Sequence, residues 1–301
     1  MAGLIAACNF GPGATSPPTS PPTTPPGPTS TPGPTPTPAP TPTPSFGADQ
    51  IEHPTGANEI VLRMEEGGGF VPFGFLVTQA PQFTLYGDGT VIFQQVDTRG
   101  APFGSVAYLP WVVGHLNEEG IQALLQFALS TGRLANARES YDNPTIADAS
   151  STIFTLNAAG MEKVVNIYAL FEMPDANVPD QADRAGFSQL SAALKNFESQ
   201  GGLGEVTTYE PELYRVILLE GFGQPVGQPL EWPWDDLTVA DFPAGDEPGG
   251  IAHLDAEHVS NLLEVPNGGH PGIWVEDPDG NLVQFGVRPL LPDEQKVVVA
   301  N

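Results

Sequence analysis

The chain has 301 residues, with 10 Lys+Arg against 36 Asp+Glu and a formal charge of −26. The first charged residue is Asp49, so the whole charge falls on a body of roughly 250 residues, enough for one large hydrophobic core or two small ones. Such a body repels phosphate backbones and anionic bilayer surfaces, which argues against direct nucleic-acid binding. The single cysteine, Cys8, excludes an intrachain disulfide and any Cys-containing zinc or redox motif. No run of about eighteen apolar residues is present to cross a membrane as a helix.

At the N-terminus, Leu4-Ile5-Ala6-Ala7-Cys8 resembles the lipobox of bacterial lipoproteins. The resemblance implies that Ala6 and Ala7 fill the small positions, Ile5 the aliphatic one, and that Cys8 is the lipidated residue. A signal peptide also needs a basic region and an apolar stretch of about 7–15 residues. Neither precedes Cys8, so residues 1–8 read as a truncated signal and lipobox, with translation expected to start upstream of Met1. Residues 9–48 form a Pro/Thr-rich linker, with Pro21-Pro22-Thr23-Thr24-Pro25-Pro26 and the alternation Pro34-Thr35-Pro36-Thr37-Pro38. Proline fixes φ and removes N–H donors, so the linker is expected to be disordered and to sample polyproline II, a semi-stiff spacer of up to about 100 Å.

A first α+β domain is expected over residues 58–200. Glu59–Glu66 reads as a strand, and Gln82–Gln95 as a hairpin turning at Asp88-Gly89. Asn117 is the N-cap of a helix whose Leu116 and Ile121 form a hydrophobic staple. Ile121, Leu124, Leu125, Ala128 and Leu129 share its inward face, and Gly132 is placed at C′. A hairpin from Ser151 to Leu170 follows, turning near Ala159-Gly160. A second helix spans about Gln181–Ser199, with Phe187, Leu190, Leu194 and Phe197 inward and Gly201-Gly202 as its stop.

A second α+β domain is expected over residues 205–301. Tyr214–Glu220 mirrors the opening strand, and His253-Leu254-Asp255 leads into a helix as His115-Leu116-Asn117 does. Leu262-Leu263 then stands where Leu124-Leu125 stood, and a hairpin from Gly272 to Val287 turns at Asp277-Pro278-Asp279-Gly280. The pattern predicts an α+β fold of two related antiparallel-sheet units, each with a packed helix, after the disordered tether.

Residues 59–199 resemble a family of uncharacterised bacterial secreted or lipoprotein domains with a Tyr-Gly-Asp-Gly-Thr hairpin. The residues that carry the likeness are Phe83-Thr84-Leu85-Tyr86-Gly87-Asp88-Gly89-Thr90-Val91, the Leu-rich helix, Tyr141, Asp148, Thr152, Gly160 and Tyr168. Glu231-Trp232-Pro233-Trp234-Asp235-Asp236-Leu237 and Arg288-Pro289-Leu290-Leu291-Pro292-Asp293-Glu294 resemble extensions in some actinobacterial and related members. Many members of the family carry a Cys-rich segment with a Pro just before the hairpin. Here Gly67-Gly68-Gly69-Phe70-Val71-Pro72 stands in its place, so no metal or redox role transfers. The resemblance implies a fold and an extracytoplasmic location, with no activity attached.

Motifs for catalysis are sparse. No G-x-S-x-G, S-x-x-K, Walker A or G-x-G-x-x-G run occurs. Asp277-x-Asp279-Gly280-Asn281 begins like a calcium loop, but the twelfth position, which requires Glu, is Arg288, and a hairpin turn explains the same residues. His253 and His258, five apart, would lie about 140° around a helix from each other, so no metal or cofactor is assigned. Trp232, Trp234, Asp235 and Asp236 form a candidate recognition patch for a sugar or peptide, the alternative being that the indoles plug the seam between the halves. The expectation is a tethered, extracytoplasmic cell-envelope lipoprotein held to the membrane through Cys8. Its role would be non-enzymatic binding to an envelope protein or glycan, without nucleic acid. Two alternatives stand beside it: a carboxylate-dependent hydrolase of cell-wall or extracellular glycans, and an inhibitor of an extracellular enzyme.

Overall fold

The computed structural model describes residues 46–70, 78–95, 111–171, 178–200, 202–219, 225, 228–243, 250–263 and 272–299, with backbone alone at 200 and 296–299. Cys8 and the Pro/Thr segment up to residue 45 lie outside the described residues. In chain order the elements are β1 (Ile60–Gly68), β2 (Phe83–Tyr86), β3 (Thr90–Gln94), β4 (Trp111–His115) and helix α1 (Glu118–Leu129). A 3₁₀ turn (Leu134–Asn136) leads to β5 (Ser140–Tyr141), β6 (Ser150–Ala158), β7 (Met161–Tyr168), α2 (Gln181–Lys195) and β8 (Thr207–Thr208). Then come β9 (Tyr214–Leu219), β10 (Leu230–Glu231), β11 (Gly250–Leu254), α3 (Ala256–Leu263), β12 (Ile273–Glu276), β13 (Leu282–Pro289) and α4 (Pro292–Val299).

The strands form an eight-stranded sheet, β5-β7-β6-β1-β2-β3-β4-β8, and a five-stranded sheet, β10-β12-β13-β9-β11. All neighbours are antiparallel except the two short outer pairs, β5 with β7 and β10 with β12. The fold is α+β, as the hydrophobic periodicity predicts. Thr207-Thr208, beyond the expected boundary at 200–205, still pairs with Val112-Val113 of the first sheet, and residues 44–301 form one compact unit.

Alternation along the strands sets the layers. Leu62 and Met64 of β1, Phe83 and Leu85 of β2, and Val91 and Phe93 of β3 join the core beneath α1 and α2. Thr84, Tyr86 and Ile92 alternate with them along β2 and β3 and are buried as well, with Tyr86 and Ile92 clustering with Leu291 of the second half. The middle of the first sheet is therefore covered on both faces. Turn chemistry matches the prediction in each hairpin: Gly89 has φ 92°, and Ala159 and Gly160 have φ 54° and 67°, the two positive values of a tight turn.

Helix α1 begins as expected, with the Asn117 carboxamide accepting from the Gly120 N–H at 2.9 Å and Leu116 and Ile121 both buried. Its end differs. The left-handed residue is Arg133 (φ 66°), not Gly132. Gly132 is needed for space: a Cβ there would stand 2.7 Å from the Ala128 carbonyl and 3.0 Å from Leu190 of α2. In α2, Phe187, Leu190 and Leu194 are buried as predicted, the helix ends at Lys195, and Phe197 is buried in a 3₁₀ turn, edge-on to Phe83 at 4.8 Å.

The kinship expected between the two units is not carried by their connectivity. In the first sheet β1 pairs with β6, the strand that opens the hairpin after α1. In the second, β9 pairs with β13, the strand that closes the hairpin after α3. The β2–β3 hairpin also separates β1 from β4, whereas β9 pairs directly with β11. A duplication would preserve chain order through each sheet. The shared His-Leu-Asn/Asp signature is a recurrence of capping chemistry, because a polar N-cap and an apolar staple serve wherever a strand hands over to a helix. Leu124, Leu125 and Leu262 are core residues, but Leu263 is 46% exposed. The twelve-residue α1 buries Ile121, Leu124, Leu125 and Ala128, two adjacent columns of its surface, while the eight-residue α3 buries only Val259 and Leu262.

Candidate functional site

The sequence pointed to Trp232, Trp234, Asp235 and Asp236, and the structure places the two indoles inside the second unit. Trp234 is 7% exposed, and its Nε1–H donates to the His258 carbonyl at 2.7 Å. Trp232 is half-buried and donates to the Leu237 carbonyl at 2.8 Å. The two indoles meet edge-on at 5.1 Å, and both pack with Phe242 and Phe285 at centroid distances of 5.3–6.5 Å. The pair is core under α3, so it forms neither a surface recognition patch nor a plug between the halves. Two satisfied N–H groups on a Trp-Pro-Trp run are what a buried aromatic needs, and the sequence alone does not separate that from an exposed pair. Asp235 is exposed. Asp236 faces His258 Nε2 at 3.2 Å, while His258 Nδ1 faces Asp255 at 2.8 Å. With a carboxylate on each ring nitrogen, Asp255 first and Asp236 second, the imidazole pKa is raised.

The other singled-out residues serve locally. Asp277 Oδ1 accepts from the backbone of Asp279 and Asn281, and the Asn281 carboxamide donates to both of its oxygens, which closes the hairpin turn. His53 is buried with Nδ1 at 2.6 Å from the Pro54 carbonyl. His115 lies against Gly89, and His270 lies outside the described residues. Among the described residues no group of three or more His, Cys, Asp or Glu is placed to hold a metal ion.

Polar chemistry gathers in two places that the sequence did not advertise. The first is the joint between the sheets. Arg63 stands in the middle of β1, and its Nη2 donates to Asp293 of α4 at 2.6 Å while its Nε donates to Thr84 at 3.1 Å. The Tyr86 hydroxyl donates to the same Asp293 oxygen at 2.5 Å. Arg288 holds Glu294 in a fork, 2.9 and 2.7 Å, and the Leu291 N–H adds a third bond to that carboxylate. Burial opposes ionisation of Glu294, yet Arg288 and the Leu291 N–H keep its carboxyl below the usual range. Burial pushes the Glu65 carboxyl up, against the pull of Arg63 and with the push of Glu294 and Asp293. Burial, then Asp293, likewise raises the Tyr86 phenol, so it remains a neutral donor. A charged residue within the apolar run EIVLRMEE was the available signal for this joint.

The second place is a groove of about 580 Å³ at the C-terminal end of α1. Gln126 and Leu129 come from the helix, Ser130 from its C-cap, Arg133 and Asn136 from the turn after it, and Asp183 from the first turn of α2. Arg133 Nε lies 3.4 Å from Asp183 Oδ1. The Arg133 stem crosses α2 at Gly186, where a Cβ would stand 2.2 Å from Arg133 Cγ. A glycine inside a helical pattern was the only sequence sign of this close approach.

No protein-family model matches the chain, and no curated protein or solved structure does so either.

Proposed function

We propose that this chain is a lipid-anchored, extracytoplasmic binding module of a bacterial envelope. Its folded body is held off the membrane by residues 9–48 and contacts an envelope protein or glycan non-covalently. One observation carries the reading: a lipobox-like Cys8 is followed directly by a Pro/Thr spacer and then by a body that bears the entire −26 charge. An acidic body is repelled by anionic headgroups, so an anchor and a stiff spacer together give it both retention and clearance. The buried charges of the joint support binding over chemistry, because Asp293 and Glu294 are each occupied by an arginine.

Expressed from its native locus, the chain is expected to partition into detergent, and Cys8→Ser to move it to the aqueous phase. An unchanged distribution for Cys8→Ser removes the anchor from the reading. The gathering of three carboxylates at the joint, Glu65 beside the arginine-paired Asp293 and Glu294, is the observation behind a second reading, a carboxylate-dependent hydrolase. Release of reducing ends from cell-wall glycan by the wild type, abolished in Glu65→Gln, would decide for that reading.

A further inference from the structure

The groove between α1 and α2 is open to solvent and large enough for a small molecule, and the chemistry of its lining selects among ligands. The geometry points to a neutral, hydroxyl-rich molecule, a short saccharide, as its occupant. This rests on the reading of the chain as a binding module and names what that module takes.

Size and rigidity come first. About 580 Å³ falls within the range of roughly 300–1,000 Å³ usual for small-molecule sites. The turn carrying Ala135 and Asn136 is clasped from behind by Lys163, whose Nζ donates to the carbonyls of Leu134, Ala135 and Ala137 at 3.2, 2.8 and 3.3 Å. On the same wall, Arg133 is held in the left-handed conformation with its stem over Gly186. Backbone set in this way leaves little to be ordered when a ligand arrives.

Polarity then decides the class. Arg133 and Asp183 have side chains 48% and 38% exposed, and their charges cancel. The carboxamides of Gln126 and Asn136 each offer donors and acceptors in one plane. Ser130 Oγ donates to the Gln126 carbonyl, which leaves its lone pairs free to accept. Leu129 and Ala135 supply apolar surface between these groups. A pyranose presents hydroxyls around its rim and C–H groups on its face, and each hydroxyl both donates and accepts. An anion would face Asp183 and the negative, carbonyl end of α1, within a body of charge −26. A cation would face Arg133.

The test uses the full chain carrying Cys8→Ser, labelled for ¹H–¹⁵N correlation spectra and titrated with cellobiose, maltose and N,N′-diacetylchitobiose. At least one is expected to give saturable shifts centred on residues 126–136 and 183–186. Asn136→Ala and Asp183→Asn should each weaken that binding about tenfold while the melting temperature stays within a few degrees. Glucuronate and glucosamine should bind more weakly than glucose. Absence of saturable shifts with all three disaccharides, shifts centred elsewhere, or preference for a charged sugar or a neutral tripeptide would overturn the assignment. If one variant unfolds, the other still carries the comparison. Cys8 has no part in this titration, so an empty groove leaves the anchored-module reading intact, and a failed detergent partition leaves the groove intact.

Discussion

Asp293 accepts from Arg63 at 2.6 Å across 230 residues of sequence, and with Tyr86 on the same oxygen it ties α4 to the outward face of β1 and β2. The pair is largely buried, with side chains 10% and 19% exposed. Removing one partner of such a pair strands the other charge away from water. Asp293→Ala is therefore expected to lower stability by about 3–5 kcal/mol in urea unfolding. Arg63→Met combined with Asp293→Leu should recover much of that loss. A loss below about 1 kcal/mol for Asp293→Ala would show that the joint is solvated and relaxes on mutation.

The paired leucines separate the two helices. Leu125 and Leu262 have no exposed surface, and truncation of either to Ala should cost about 2–5 kcal/mol. Leu263→Ala, on the solvent side of α3, should cost less than about 1 kcal/mol. Equal losses for Leu262 and Leu263 would mean that α3 packs on both columns.

Trp234→Phe keeps most of the aromatic volume but removes the donor to the His258 carbonyl. A cost of about 1–3 kcal/mol is expected from the unpaired carbonyl and the smaller ring. The same substitution should leave saccharide titrations of the α1–α2 groove unchanged. A surface patch would show the reverse: stability kept and binding lost.

His258 predicts a pH dependence with a definite sign. Its pKa is raised by Asp255 and then Asp236. Its contribution is therefore full below the unfolded value of about 6.5 and is lost as pH rises through the higher folded value. The ring is about a third exposed, so less than about 1 kcal/mol is at stake. Between about pH 6 and about pH 9 the wild type should lose more melting temperature than His258→Gln. Asp255 has the opposite sign: its depressed pKa, due to the His258 N–H and ring, gives stability that is lost as pH falls through the folded value. Parallel curves for wild type and His258→Gln on the alkaline side would remove the bridge.

Local chemistry was legible wherever neighbours in sequence decide structure. The three hairpin turns, the Asn117 cap with its staple, and the inward face of α2 all follow from residues within a few positions of one another. Short-range sterics and a repeating apolar period are enough to specify them. Strand order was not legible. Whether β6 or β7 lies against β1, and whether β12 or β13 lies against β9, depends on pairings between distant segments with the same alternating pattern, and that pattern is alike for all of them. It therefore predicted a repeat that the topology does not contain.

Burial of polar groups follows the same division. Nothing near Arg63 in the chain indicates that Asp293 will reach it, and nothing in Gln126, Arg133 or Asp183 marks them as one wall. Composition and spacing determined that this protein has an acidic α+β body behind a Pro/Thr segment and Cys8. Tertiary packing alone decided that Trp232 and Trp234 face inward, that Leu263 faces water, and that the polar groove opens where α1 ends against Gly186. A side chain's exposure is set by which distant surface comes to cover it, and that is a property of the assembled sheets rather than of any local run of residues.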